Sequence, residues 1–517
     1  MKIHKIIMIL LGMITIFSCK ESPTNTDQYH DELGSISIQV SGNEESVSHF
    51  EEGLLLMHSF EYEDAREAYL DAQNADQECV MAIWGEAMTH NHPLWRQLDN
   101  IKGREVLEKL GATPEERMAK IPTEFERDLF QGAEILFSEG KKADKDNSYR
   151  DHMEQLFKKY PDHHEIASLY ALSILGAVKG GRNYEEYEKG ARIADGILAE
   201  NPNHPGALHY LIHSYDDPVN APKAMDAADS YSVVAPDAAH ALHMPSHIYV
   251  SMGMWDKVIS SNTDSWNASV KRRERKDLDN DALGYHSFKW LMYGYLQKEQ
   301  FDVAKGMVED MQKFCAELPS KRAKSHLVMM KGAYFAETGQ WNDDFVLDTF
   351  DYSDLNIQAY AVGIYNRCMY ALETGNISYV NEQMDVLKES IYDAGNEAIA
   401  AASAATCSGN YTRNMASQNN VNRAKVIHLE LKALMALNEG DDNKAEELMK
   451  EAVALEEETS FMYGPPDVVK PSSEMYGDWL VDQGRLDEAR IQYQKVLDRC
   501  PNRLLAFKGM EKTSTSS

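Results

Sequence analysis

The stretch EMYGDWLVDQGRLDEARIQYQKVLDRCPN, Glu474 to Asn502, carries the organisation of the whole chain in one copy. Its apolar residues recur at helical spacing, which predicts two helices joined at a tight turn. Gly477 permits a close helix approach, Gly484 makes the turn, Ala489 packs tightly, and Pro501 ends the unit. Weaker copies of the same grammar are LKALMALNEGDDNKAEELMKEAVAL, MKGAYFAETGQWND, YNRCMYALETGNISYV, WLMYGYLQKEQFDVAKGMV and GLLLMHSFEYEDAREAYLDA. Strand-like alternation is scarce, so the fold class read from the sequence is all-α.

A shift of 34 residues near the middle of the chain places Pro202 on Pro236, His209 on His243, His213 on His247 and Tyr215 on Tyr249. That period is the length of a tetratricopeptide (TPR) repeat, a helix-turn-helix unit. The chain from about residue 47 to 513 therefore resembles the TPR family. The resemblance implies a right-handed α-solenoid of about nine or ten helical hairpins, a scaffold that mostly binds partners. Residues 93–148 lack a clean repeat and read as an insertion. Residues 461–473 read as a Pro-rich loop and 514–517 as a tail.

The resemblance also implies that the second, fifth, ninth and twelfth residues of each first helix line the concave groove. In a unit starting at Pro205, His209 is fifth, His213 ninth and Asp216 twelfth. In the unit starting at Ala239, His240 is second, His243 fifth and His247 ninth. A unit starting at Tyr285 places His286, Lys289 and Tyr293 on the groove, and one starting at Lys470 places Glu474 and Asp478 there. Five of the chain's 18 histidines thus fall between Pro205 and His247 and are aimed one way. Neutral imidazoles at i, i+4 spacing can grip one ion, and they suit Zn, Cu, Ni or Fe. Asp216 stands beside them as a ligand or orienting carboxylate. A polar groove for a peptide and a hydrogen-bonded structural cluster are the other readings. Pro245 interrupts the run and should push Met244 out of helical geometry, so that the helix kinks or starts late.

A second set lies upstream. Glu86 and His90 are i, i+4 on one helix face, His92 follows at the helix end, and His58 ends the first helix of the first unit. These complete the same site, form another, or sit as exposed loop histidines. His204 and the His163–His164 pair read as cap or turn residues.

The N-terminus, MKIHKIIMILLGMITIFSCKES, has basic Lys2 and Lys5, an apolar run from Ile6, and small Ser18 before Cys19. It looks like a bacterial lipoprotein signal over residues 1–18 with lipidation at Cys19, although Phe17 is bulky for such a signal. Residues 19–46 are polar and read as a flexible tether. The expected location is extracytoplasmic, with the membrane reached only through the lipid anchor. The net charge of −31 repels phosphate backbones, so nucleic acid is not an expected partner. Cys79, Cys315, Cys368, Cys407 and Cys500 are far apart and form no CxxC pair, which argues against a disulfide framework or a zinc–thiolate site. HExxH, GxSxG and Walker motifs are absent. The functional reading is an envelope solenoid that binds a protein, peptide or other ligand in its groove beside a histidine metal site. The alternative is a metal-dependent hydrolase or oxidase, with Glu86, Glu474 or Tyr293 as acid or base.

Overall fold

The computed structural model describes residues 32–179, 181–403, 417–459 and 464–514, and side chains outside 399–403. The expected lipoprotein signal with Cys19, Cys407 and the tip of the expected Pro-rich loop lie outside the described residues. The described chain is an all-α, TPR-like helical solenoid. Helix pairs such as Glu44–His58 with Tyr62–Ala75, His164–Ala177 with Tyr184–Glu200, and Ser472–Asp482 with Leu486–Arg499 pack across short turns. At Gly477 an added Cβ would lie 3.0 Å from the Tyr493 ring, so the glycine sets the approach of the last of these pairs. No described helix is long and apolar enough to cross a membrane.

The 93–148 segment is folded into the array. It holds the helices Asn100–Glu108, Pro114–Ala119 and Glu124–Leu136, the last two opened by capping boxes at Thr113/Glu116 and Thr123/Glu126. A short antiparallel ribbon pairs Asn91–His92 with Gln97–Leu98. The expected tether is shorter than 19–46. From residue 32 onward it is docked, with Leu33 and Ile38 buried, Ser35 N–H bonded to Asn203 O, and Ser41 held by Glu126. Its alternating apolar residues supply the burial that a free linker would lack.

Met244 also departs from expectation. Its φ/ψ of −55°/−37° is helical, and its N–H still bonds to His240 O. Pro245 opens a new helical segment, Pro245–Ser251, at the position where a missing N–H costs nothing. The fully buried Met244 side chain holds the two segments in register.

Both ends of the array return to its middle. On the N-terminal side, Arg272 and Lys276 pair with Asp64. On the C-terminal side, Trp255 Nε1 donates to Asn502 O at 2.9 Å, and a Cβ on Gly253 would meet Pro501 O at 2.1 Å. Arg503, fully buried, reaches Tyr293, Glu337 and Glu474. The inner face of the central hairpins is therefore covered rather than open.

Candidate metal centre

The helix Pro205–Tyr215 carries His209 and His213 one turn apart, and Pro245–Ser251 with the preceding turn carries His243 and His247 in the same relation. Pro205 stands at the first helical position and His204 caps it, its Nδ1 accepting from Ala207 N–H at 3.2 Å. The helices lie side by side, so the rings meet. Centroid separations are 4.8 Å for His209–His213, 5.4 Å for His213–His247 and 5.1 Å for His243–His247. His240 approaches His209 at 5.0 Å, and His286 approaches His243 at 4.7 Å. One nitrogen each from His209, His213 and His240 lie within 4.8 Å of one another, and the same holds for His243, His247 and His286.

The outer nitrogens decide how these rings present themselves. His209 Nδ1 faces His58 O at 2.7 Å, and a carbonyl only accepts, so this nitrogen carries the proton. His213 and His247 both donate from Nδ1 to Asp216 Oδ2, at 3.2 Å each. His243 Nδ1 lies 2.7 Å from Asn262 Oδ1, and the orientation of that amide is set by its own Nδ2 donating to Val258 O. Four imidazoles therefore have Nδ1–H engaged and present Nε2 as a lone pair, the arrangement in which outer partners orient metal-ligating histidines. His209 Nε2 and His240 Nε2 are buried with no hydrogen-bond partner among the described residues. His247 Nε2 and His243 Nε2 face each other at 3.2 Å. Two lone pairs at that distance repel, and a shared cation would relieve the repulsion.

Asp216 acts as the pivot. Arg182 donates to its Oδ1 at 2.6 Å, and two imidazoles occupy Oδ2. Burial works to raise this carboxyl, but Arg182 and the two histidine hydrogen bonds overcome it and hold it below the usual carboxylate range. With both oxygens engaged, Asp216 orients the His213 and His247 rings. Burial pushes His209, His240 and His243 well below the ordinary imidazole value, and charge on neighbouring histidines adds to the effect. The Lys289 charge acts on His243 in the same direction.

Aromatic rings close the centre. Phe60 lies 4.3 Å from His209 and 5.5 Å from His240, and its backbone holds a left-handed φ of 56°, unusual for a bulky residue. Trp290 covers His247 at 4.7 Å, and half-exposed Trp95 stands at the edge near His240. Glu61 accepts from His240 N–H at 2.9 Å, and burial pushes its carboxyl up to about 7.

No protein-family model matches the chain, and no curated protein does. Solved structures align over most of its length with low similarity. Cut9 in the APC/C hetero-tetramer Cut9–Hcn1 is 9% identical, with 93% of this chain and 78% of that chain covered and a TM-score of 0.36. Yeast Tom70 is 11% identical, with coverage of 91% and 89% and a TM-score of 0.32. The human IFIT1 dimer with PPP-AAAA is 12% identical, with coverage of 92% and 95% and a TM-score of 0.36. The reading of this centre rests on its own geometry.

The upstream residues do not assemble with the centre. Glu86 accepts from Gln73 and pairs with Lys109. His92 uses both ring nitrogens on Thr89 O and Gln97 Oε1 and stacks on Tyr62. His90 lies beside Arg66 and Asp99, and burial lowers its imidazole to about 4. His58 joins a separate buried group: its Nε2 meets Glu165 Oε2 at 2.7 Å, its Nδ1 accepts from Tyr210 Oη, and His204 Nε2 reaches the other Glu165 oxygen at 3.0 Å. In that triad both His58 ring nitrogens are hydrogen-bonded, and His204 Nε2 stands at ion-pair distance from Glu165 without a hydrogen bond. It is a closed clamp, tied to the centre because the His58 carbonyl holds His209. Tyr293 and Glu474 gather around Arg503, while Asp478 pairs with Lys470 and accepts from Tyr493. The residues that sequence reasoning missed are Asn262, Arg182, Glu61 and the aromatic covers, which come from other turns and carry no repeat signal.

Proposed function

We propose that this protein is a lipid-anchored, extracytoplasmic helical solenoid that holds a transition metal through His209, His213, His240, His243 and His247. The observation that carries the reading is the His243–His247 contact, in which two oriented Nε2 lone pairs meet at 3.2 Å. Zinc, copper and iron all suit imidazole ligands. A TPR-like scaffold suggests a protein or peptide partner, and the net charge of −31 disfavours nucleic acid. The anchor and location rest on the lipoprotein-like N-terminus alone.

The test is metal content by mass spectrometry on the full-length chain in mild detergent, beside a His209→Ala/His247→Ala variant. Stoichiometric metal that the variant loses is the expected result. Sub-stoichiometric metal in the parent, unchanged in the variant after reloading, overturns the reading. One observation favours the enzymatic alternative, a hydrolase or oxidase. Glu61 titrates near neutrality beside His240, where a general acid or base works best.

A further inference from the structure

Five of the six histidines close a ring of contacts, with His240 also 6.0 Å from His243, and His286 extends it beyond His243. His240 touches His209, His209 touches His213, His213 touches His247, His247 touches His243, and His243 touches His286. A single ion binds imidazole at about 2.0–2.1 Å and takes about four ligands. It cannot take all six imidazoles.

The register of the repeat divides the six histidines into two triads. The first triad takes the fifth and ninth residues of one unit, His209 and His213, and the second residue of the next, His240. The second triad takes His243 and His247 from that next unit and His286, again a second residue, from the unit after it. Each triad therefore spans one junction between hairpins, and the second repeats the first one unit along. The series stops there, because Lys289 and Tyr293 occupy the fifth and ninth positions of the third unit. The supporting carboxylate is not duplicated. The residue 34 positions after Asp216 is Val250, so His213 and His247 lean on the same oxygen of Asp216. That shared support places the triads against each other rather than a full repeat apart.

We propose that the centre is binuclear, with one metal ion in each triad and Asp216 as the common orienting carboxylate. This deepens the metal-binding reading above and rests on it. The charge balance points to copper in its cuprous form. The ligands are neutral imidazoles, Asp216 and Asp217 share Arg182, and the Lys289 charge acts on His243. Neighbouring divalent ions repel four times as strongly as monovalent ones at the same separation.

The test is anaerobic loading of the full-length protein with cuprous ion, followed by metal and protein quantification. Two ions per chain are expected. His209→Ala/His240→Ala and His243→Ala/His286→Ala should each retain one, with circular dichroism checking that the variants fold. One ion in the parent overturns the binuclear centre and leaves the metal-binding reading standing. No bound copper, zinc or iron overturns both. Copper X-ray absorption on the parent provides a check independent of the variants: scattering from a neighbouring copper supports the pair, and its absence in a two-ion sample overturns it.

Discussion

A single methyl group placed at Gly206 tests how rigidly the clamp behind the centre is built. A Cβ there would lie 2.5 Å from His58 Nδ1 and within 3.0 Å of two ring carbons. The ring has no room to retreat. Its Nε2 is tied to Glu165 at 2.7 Å and its Nδ1 to Tyr210 at 2.9 Å, and all three residues are buried. Overpacking costs about 1–3 kcal/mol, and a buried hydrogen bond broken by the displacement adds about 1–3 kcal/mol. Replacing a helical glycine by alanine returns up to about 1 kcal/mol. Gly206→Ala should therefore lower stability by about 1–5 kcal/mol on these terms. Gly196, in the helix Tyr184–Glu200, has nothing within 4 Å of an added Cβ and serves as the control. Gly196→Ala should be neutral or stabilising by up to about 1 kcal/mol. The assay is urea unfolding of both metal-free variants at pH 7, followed by far-ultraviolet circular dichroism. A Gly206→Ala variant as stable as Gly196→Ala would refute the claim that His58 is locked between Glu165 and Tyr210.

Two further outcomes follow from side chains away from that clamp. Asn262→Leu keeps the volume of the buried amide but removes the acceptor for His243 Nδ1–H. Metal affinity of the second triad should fall about 10–100-fold in a chelator competition, and unchanged affinity would mean that Asn262 does not orient His243. His428, in the helix Gln418–Glu439, is lowered to about 4 by burial and then by Lys432 and Lys388. Because its folded value lies below the unfolded value of about 6.5, its contribution is complete above pH 6.5 and is lost as pH falls from there towards 4. His428→Gln should remove about 1–2 kcal/mol of the acid-side loss, a figure discounted for partial exposure of the ring. Identical pH–stability slopes in parent and variant between pH 6.5 and 4 would refute it.

The hairpin array was legible because each unit repeats a local code. Gly484 takes the left-handed turn expected of it, with φ of 70°, and Ala489 and Tyr493 are fully buried where the code places small and aromatic residues. Contacts without a repeat were not legible. Residues 93–148 carry helix starts that can be read locally at Thr113 and Thr123, but the absence of the 34-residue period obscured how they join the stack. The docking of Leu33 and Ile38, and the return of Asn502 and Arg503 onto Gly253, Trp255 and Tyr293, link residues far apart in the chain. Periodicity is silent about such pairs, since neither partner occupies an unusual position in its own helix.

The same distinction explains which part of the centre could be read. Helical register alone places His209, His213, His243 and His247 on one face, because i, i+4 spacing and the 34-residue offset are both local properties. Register does not say whether that face meets water or protein. In an open solenoid these imidazoles would line a wet groove and their Nδ1 atoms would be free to turn. Here Phe60 arrives from the first hairpin, Trp290 from the hairpin after the centre, and the oriented carbonyl of His58 from across the array. Closure converts a row of solvated bases into enclosed rings with oriented Nδ1 partners, and it brings His243 Nε2 and His247 Nε2 within 3.2 Å of each other. The histidines are thus a property of the repeat, and their burial and mutual contact are a property of the closure.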